Sequence, residues 1–176
     1  MTERTSIVSP LTLLKAWHAW LAGAFLVAYL TASDETYVMH QFAGYAVLAA
    51  ILTRIVAGLF ATGRNPWRLP RPSLRASREW LAARKGRNPL FVWFAAALLI
   101  VIGLAAGTGA IADGATWMEH PHEAIAEASL WVIAGHVAFV AYMYGGRKWI
   151  SRIAAGMDGL RPSITPKSIT PKETLP

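Results

Sequence analysis

Cysteine is missing from this 176-residue chain, which rules out disulfides, thiolate nucleophiles, iron–sulfur clusters and covalently attached c-type haem. Charge is scarce as well. Asp, Glu, Lys and Arg make up 15% of the residues, where soluble domains carry about a quarter. Acidic residues are the scarcer sign, 10 against 17 basic, for a formal net charge of +7. No Ser/His/Asp arrangement or glycine-rich phosphate loop occurs, so hydrolase and nucleotide chemistry lack support.

What remains is apolar: 55% of the residues are hydrophobic. Four runs reach the roughly 20 residues needed to span hydrocarbon, at about Leu11–Ala32, His40–Ala61, Pro89–Ala112 and His122–Tyr144. The first reads as an anchor and not as a cleavable signal peptide, because another apolar run follows almost at once and no small-residue cleavage site intervenes. The expected fold is all-α, an integral-membrane four-helix bundle occupying residues 1–160. The segment 161–176, in which "SITPK" occurs twice, is expected to be disordered because its prolines forbid a regular helix and it has little apolar surface.

The basic residues sort to one side. Arg4 and Lys15 flank the start of the first run. Arg64, Arg68, Arg71, Arg75, Arg78, Arg84, Lys85 and Arg87 lie between the second and third, and Arg147, Lys148, Arg152, Arg161, Lys167 and Lys172 follow the fourth. The other two loops hold Asp34, Glu35, Asp113 and Glu119 and no Lys or Arg. The positive-inside rule then puts both termini and the middle loop in the cytoplasm. The same sorting accounts for the basic balance without nucleic acid. Within the middle loop, "RPSLRASREWLAARKG" reads either as an interfacial helix with Pro72 in its first turn or as a solvated connector. Trp17, Trp20, Trp67, Trp93, Trp117 and Trp149 fall near the expected interfaces.

The five histidines are the informative residues. On a helix each residue turns 100° and rises 1.5 Å, so the 14 steps from His122 to His136 end about 40° short of whole turns and about 21 Å further along. Both therefore share a face, one near each membrane surface. His120 falls on the opposite face, and Pro121 suits a helix start, which places His120 outside the helix. His18 lies in the inner half of the first run and His40 at the outer end of the second. Two depth-matched pairs result, His18 with His136 and His40 with His122. Taken singly, His40 or His122 also reads as an interfacial polar residue, whereas an imidazole at the depth of His18 or His136 is costly and usually functional.

Zinc favours four ligands that include Cys or carboxylate, which are absent at these depths. Iron in haem needs only two axial ligands and offers a large apolar face, so two haem b groups fit the pairs better. Arg54 is the one basic residue well inside a run and lies 14 positions after His40. Its partner is either a haem propionate or, by snorkelling, the cytoplasmic surface. Gly23, Gly44 and Gly135 lie near the histidines, and "GLAAGTG" places Gly103 and Gly107 four apart. These give room for a flat macrocycle or for close helix contact.

The motifs "WHAWLAGAFLVAYLT", "HQFAGYAVLAAILTRIVAGLF", "RNPLF" and "HEAIAEASLWVIAGH" together resemble the prokaryotic cytochrome b561 family, which is related to the cytochrome b subunits of nickel–iron hydrogenases. The resemblance covers about Leu11 to Trp149, and the fourth motif with its histidine spacing is the most specific. It implies four membrane helices and two b-type haems in a bacterial inner membrane. Carried over by motif, His18 and His136 are the axial ligands of the inner haem, and His40 and His122 those of the outer. Arg87, where family members often have His or another polar residue, and the extra His120 are departures that leave the ligand set untouched.

The expected function is electron transfer between a quinone or quinol and a redox partner at one surface, an oxidoreductase activity if quinol is oxidised. The alternatives are a cytochrome b subunit of a larger dehydrogenase or hydrogenase complex, with a periplasmic redox protein docked on the acidic loops, and a haem-free proton or metal transporter. The hydrogenase subunits tend to carry an additional helix that is missing here, which disfavours that partner.

Overall fold

The computed structural model describes residues 9–86 and 88–146. Arg4, Arg87, the basic residues from Arg147 onward, Trp149 and the tail at 161–176 lie outside the described residues. Among the described residues the regular structure is helical throughout: α1 (Pro10–Leu30), α2 (Tyr37–Phe60), α3 (Leu74–Ala83), α4 (Leu90–Ala112) and α5 (Glu119–Ala141). Short 3-10 turns at Asp34–Thr36 and Thr116–Met118 lead into α2 and α5. With these turns and the π-type turn Tyr142–Gly146, four stretches are long and apolar enough to cross a membrane: Pro10–Leu30, Asp34–Phe60, Leu90–Ala112 and Thr116–Gly146.

Local chemistry sets the ends. Ser9 caps α1, its Oγ accepting from the Thr12 N–H at 3.1 Å, and Pro10 takes the first helical position, where no N–H partner is needed. The turn into α2 is tied by Thr36 Oγ1 donating to the Thr31 carbonyl at 2.9 Å. Ser73 caps α3, and Arg84 ends it in the left-handed region with φ 51°. Pro72 therefore precedes the cap instead of standing inside the first turn. α5 begins earlier than its apolar pattern suggests. His120 is inside its first turn, exposed to solvent, and Pro121 is tolerated because first-turn N–H groups have no acceptor within the helix.

Packing divides the chain into two units, Met1–His136 and Val137–Pro176, with the boundary inside α5. All five histidines belong to the first. There α2 is central, with α1 against one side and α4 against another. The core is made of Leu21, Val47, Ala50, Ile51 and Ile102, with Trp17, Phe25 and Ile133 packed around them. Large apolar side chains point outward instead: Phe60 is 80% exposed, Val38 77%, Phe42 74% and Trp131 74%. Large apolar side chains on the outside are consistent with helices that face lipid. In the second unit α5 ends at Ala141 and the wider π-type turn follows.

The basic loop after α2 folds back on that helix. The buried Arg54 guanidinium donates to the backbone carbonyls of Trp67 and of Arg68, the latter at 3.0 Å. It also lies over the rings of Trp17 and Trp67, at 5.9 and 5.6 Å. Trp67 Nε1 donates to the Pro10 carbonyl at 3.0 Å, which ties the loop to the start of α1. α3 follows as a short amphipathic helix, and Trp93 of α4 donates to Ser77 Oγ at 3.1 Å. Gly58 makes the fold-back possible, because a Cβ there would stand 2.7 Å from Leu69 Cγ and 3.1 Å from Arg54 Nη1. Gly58→Ala is expected to cost about 1–3 kcal/mol, the usual range for overpacking. It should show as a lower thermal midpoint in detergent together with faster tryptic cleavage of the 61–73 loop.

Candidate functional site: two facing imidazole pairs

Heptad spacing brings the histidines together. His122, Ser129 and His136 stand seven apart on one face of α5, as do His40, Val47 and Arg54 on α2. The His18 ring of α1 lies 6.5 Å from that of His136, centre to centre, with 34° between planes. The His40 ring of α2 lies 6.1 Å from that of His122, at 65°. The structure thus makes both pairings that helical phase predicts, on three helices, and leaves His120 out of both.

The separation is compatible with a shared metal as well as with edge-on ring packing. A metal–imidazole nitrogen bond is about 2 Å, and the ring centre lies about 1 Å beyond the nitrogen, so two imidazoles on opposite sides of one metal have centres about 6 Å apart. Direct packing of two rings spans a broad range, and neither observed pair is a close stack. Among the described residues no group of three or more His, Asp or Glu side chains is placed to hold a bare metal ion. Each pair offers two ligands. That suits a group that brings its remaining ligands with it.

The α2–α5 pair is oriented from behind. His40 Nδ1 donates to the Ala28 carbonyl at 2.7 Å, and His122 Nδ1 to the Ala105 carbonyl at 3.0 Å, with Thr108 Oγ1 at 3.4 Å. Both bonds assign the proton to Nδ1 and leave Nε2 with its lone pair, the arrangement of metal-bound histidines. Phe94 flanks His136 in the α1–α5 pair at 5.8 Å, and His136 Nδ1 is buried with no hydrogen-bond partner among the described residues. His18 itself is exposed.

Beside His40 and His122 lies a cavity of about 710 Å³, with Phe25, Val47, Ile102 and several alanines on its apolar side and Asp34, Asp113, Glu119, Glu123 and Glu127 on its polar side. A Cβ at Gly44 would meet nothing within 4 Å, so this glycine borders open space. Gly23 and Gly107 are likewise open, whereas Gly103 approaches Ile51 at 3.4 Å and Gly135 approaches Phe94 at 3.6 Å. Arg54 does not line this cavity. Its partners are the loop carbonyls described above, which neither sequence reading of that residue contained.

Two features escaped the sequence. One is Gly109, where a Cβ would stand 2.9 Å from His122 Cε1 and 3.2 Å from Nδ1. The ring of His122 lies against bare backbone. The run "GLAAGTG" carried that signal, but pointed to Gly103 and Gly107 first. The other is a clasp between α2 and the end of α4. Asp113 accepts from Tyr45 Oη at 2.9 Å, from Tyr37 Oη at 3.4 Å and from Gln41 Nε2. Tyr37, Gln41 and Tyr45 are one helical turn apart, so a single face of α2 serves one carboxylate.

Protein-family models, curated proteins and solved structures return no match to this chain. The cytochrome b561 resemblance rests on its motifs alone.

Two outcomes follow. Gly109→Ala should collide with the His122 ring and destabilise the fold by about 1–3 kcal/mol, the usual range for overpacking. Gly107→Ala, which meets open space, should not, and the thermal midpoint in detergent separates the two. For the clasp, hydrogen bonds from Tyr45, then Gln41, hold the Asp113 carboxyl below its ordinary value, against partial desolvation that pushes upward. A depressed carboxylate stabilises the fold above the unfolded value of about 3.9 and loses that contribution as pH falls through the lower folded value. The difference in thermal midpoint between wild type and Asp113→Asn should therefore be constant above about pH 5 and shrink below about pH 4.

Proposed function

We propose that the chain is a four-span membrane cytochrome that carries electrons across a bacterial inner membrane through two b-type haems, exchanging them with a quinone or quinol. The observation that carries this reading is the pair of imidazole couples, with ring centres 6.5 and 6.1 Å apart, one on α1 and α5 and one on α2 and α5. Four long apolar helices support membrane residence. The basic loop after α2 and the acidic ends of α1–α2 and α4–α5 support an orientation with the termini inside, which makes His18–His136 the inner pair.

The residues present fit such a group. His18 and His136 would hold the inner haem, and His40 and His122 the outer. Held between two imidazoles, a haem supplies a one-electron couple with no open coordination position. The Ala28 and Ala105 carbonyls hold the Nδ1 protons of His40 and His122, so that Nε2 would be the atom free to ligate. Phe25, Val47, Ile102 and the surrounding alanines give the outer cavity an apolar wall, and its 710 Å³ lies within the range of cofactor sites. Gly44 leaves the wall of α2 flat where a side chain would project into that space. At the inner pair the buried Nδ1 of His136, with no partner among the described residues, is another mark of a site built for a bound group.

A reduced-minus-oxidised spectrum of membranes containing the protein should show a b-type α-band, and a pyridine haemochrome assay should count two haems per chain. A colourless protein sinks the reading and favours a haem-free proton or metal path. His122→Ala should lose the outer haem and keep the inner, His136→Ala the reverse, and His120→Ala should retain both.

A further inference from the structure

We propose that the basic loop after α2 binds the phosphate headgroup of an anionic phospholipid, in a cavity of about 350 Å³ at the end of α2 to which Arg68, Arg71 and Thr62 contribute polar side chains. Such a site depends on membrane residence and not on haem.

The loop carries charge that it does not spend. From Arg64 to Lys85 there are six Arg and one Lys against a single carboxylate, Glu79. Arg75 holds that carboxylate at 2.8 Å, on α3 and away from the cavity. Arg68 gives one Nη1 proton to the Gly63 carbonyl at 3.0 Å and keeps its other N–H groups. Arg71 has no hydrogen bond or ion pair among the described residues. Guanidinium forks match the spacing of phosphate oxygens, and Thr62 adds a hydroxyl donor beside them.

The site is held in place before a ligand arrives. Arg54 of α2 donates to the Trp67 and Arg68 carbonyls, which fixes the backbone that carries Arg68. Trp67 Nε1 pins the same loop to the Pro10 carbonyl at 3.0 Å. Gly63, with φ 60°, makes the left-handed turn by which the chain returns toward α2. Little ordering cost is then left for binding.

The surroundings favour a lipid over a free anion. Leu59 lines the cavity and is 68% exposed, and Phe60 beside it is 80% exposed, so apolar surface for acyl chains adjoins the guanidinium groups. The cavity stands where a membrane-length helix ends on the basic side of the chain, which is the level of the headgroups.

Native mass spectrometry of the full-length protein in neutral detergent tests the site by counting bound lipid as phosphatidylglycerol or phosphatidylcholine is added. Wild type should retain phosphatidylglycerol about 10-fold more tightly than phosphatidylcholine, the worth of one charge-assisted hydrogen bond. Arg71→Gln should abolish that preference. Arg78→Gln, which removes the same charge from α3 outside the cavity, should preserve it, and millimolar inorganic phosphate should not displace the lipid. Equal retention of the two lipids by wild type, equal losses in the two variants, or displacement by inorganic phosphate overturns the proposal. The wild-type comparison decides even where a variant fails to fold, and haem content does not enter it.

Discussion

A ring nitrogen set among apolar helices must find a partner, because hydrocarbon offers it none. Two of the four paired imidazoles meet that constraint with backbone carbonyls. At the α2–α5 pair each Nδ1 reaches a carbonyl in the last turns of another helix, Ala28 of α1 or Ala105 of α4. The Ala28 carbonyl lies in the last turn of α1, where carbonyls lack an intrahelical partner, and the Ala105 carbonyl has a second lone pair to offer. The rings of each pair stand with centres 6.5 and 6.1 Å apart, one ring of each on α5. Close backbone approach joins α1 to α2 and α2 to α4, whereas α5 faces its neighbours through ring pairs and a cavity.

Helix α2 holds the arrangement at both ends. Near its start, Tyr37, Gln41 and Tyr45 gather on Asp113 and fix where α4 ends, and Tyr37 also stacks on the His40 ring at 6.1 Å. Toward its other end, Arg54 seats the loop that leads to α3, while Trp17 Nε1 donates to the Ala50 carbonyl at 2.9 Å. Polar side chains thus act at the two ends, with Val47, Ala50 and Ile51 buried between them. The ends are where the charges can reach water or loop backbone, and the middle is where neither is in reach.

Much of this was legible in the residues because helical geometry converts spacing into place. Fourteen residues between His122 and His136 fix one face and two depths, and the places of His18 and His40 within their own runs match those depths. The four long helices follow from run length. What spacing does not convey is what a third segment brings. Arg54 needed a partner, and its position gave the depth, but its acceptors belong to a loop whose fold-back depends on a bare backbone at Gly58. Gly109 was indistinguishable from Gly103 and Gly107 until the His122 ring was placed against it. Pro121 argued for a helix start after His120, but the 3-10 turn at Thr116–Met118 already feeds the helix, so His120 sits inside its first turn.

The interior between the two levels bears on which particle could cross it. About 21 Å of helix separates His122 from His136. A proton moving that distance needs a chain of hydrogen-bonding groups spaced within about 3 Å of one another. The buried core described there is Leu21, Val47, Ala50, Ile51 and Ile102. Ser129, midway between the histidines on α5 and 0% exposed, has its hydroxyl committed to the Ala126 carbonyl at 2.6 Å. One committed hydroxyl among branched side chains is a poor relay for protons or hydrated ions. An electron would need no such chain, so the packing of this core fits the proposed electron-transfer reading better than a proton or ion path.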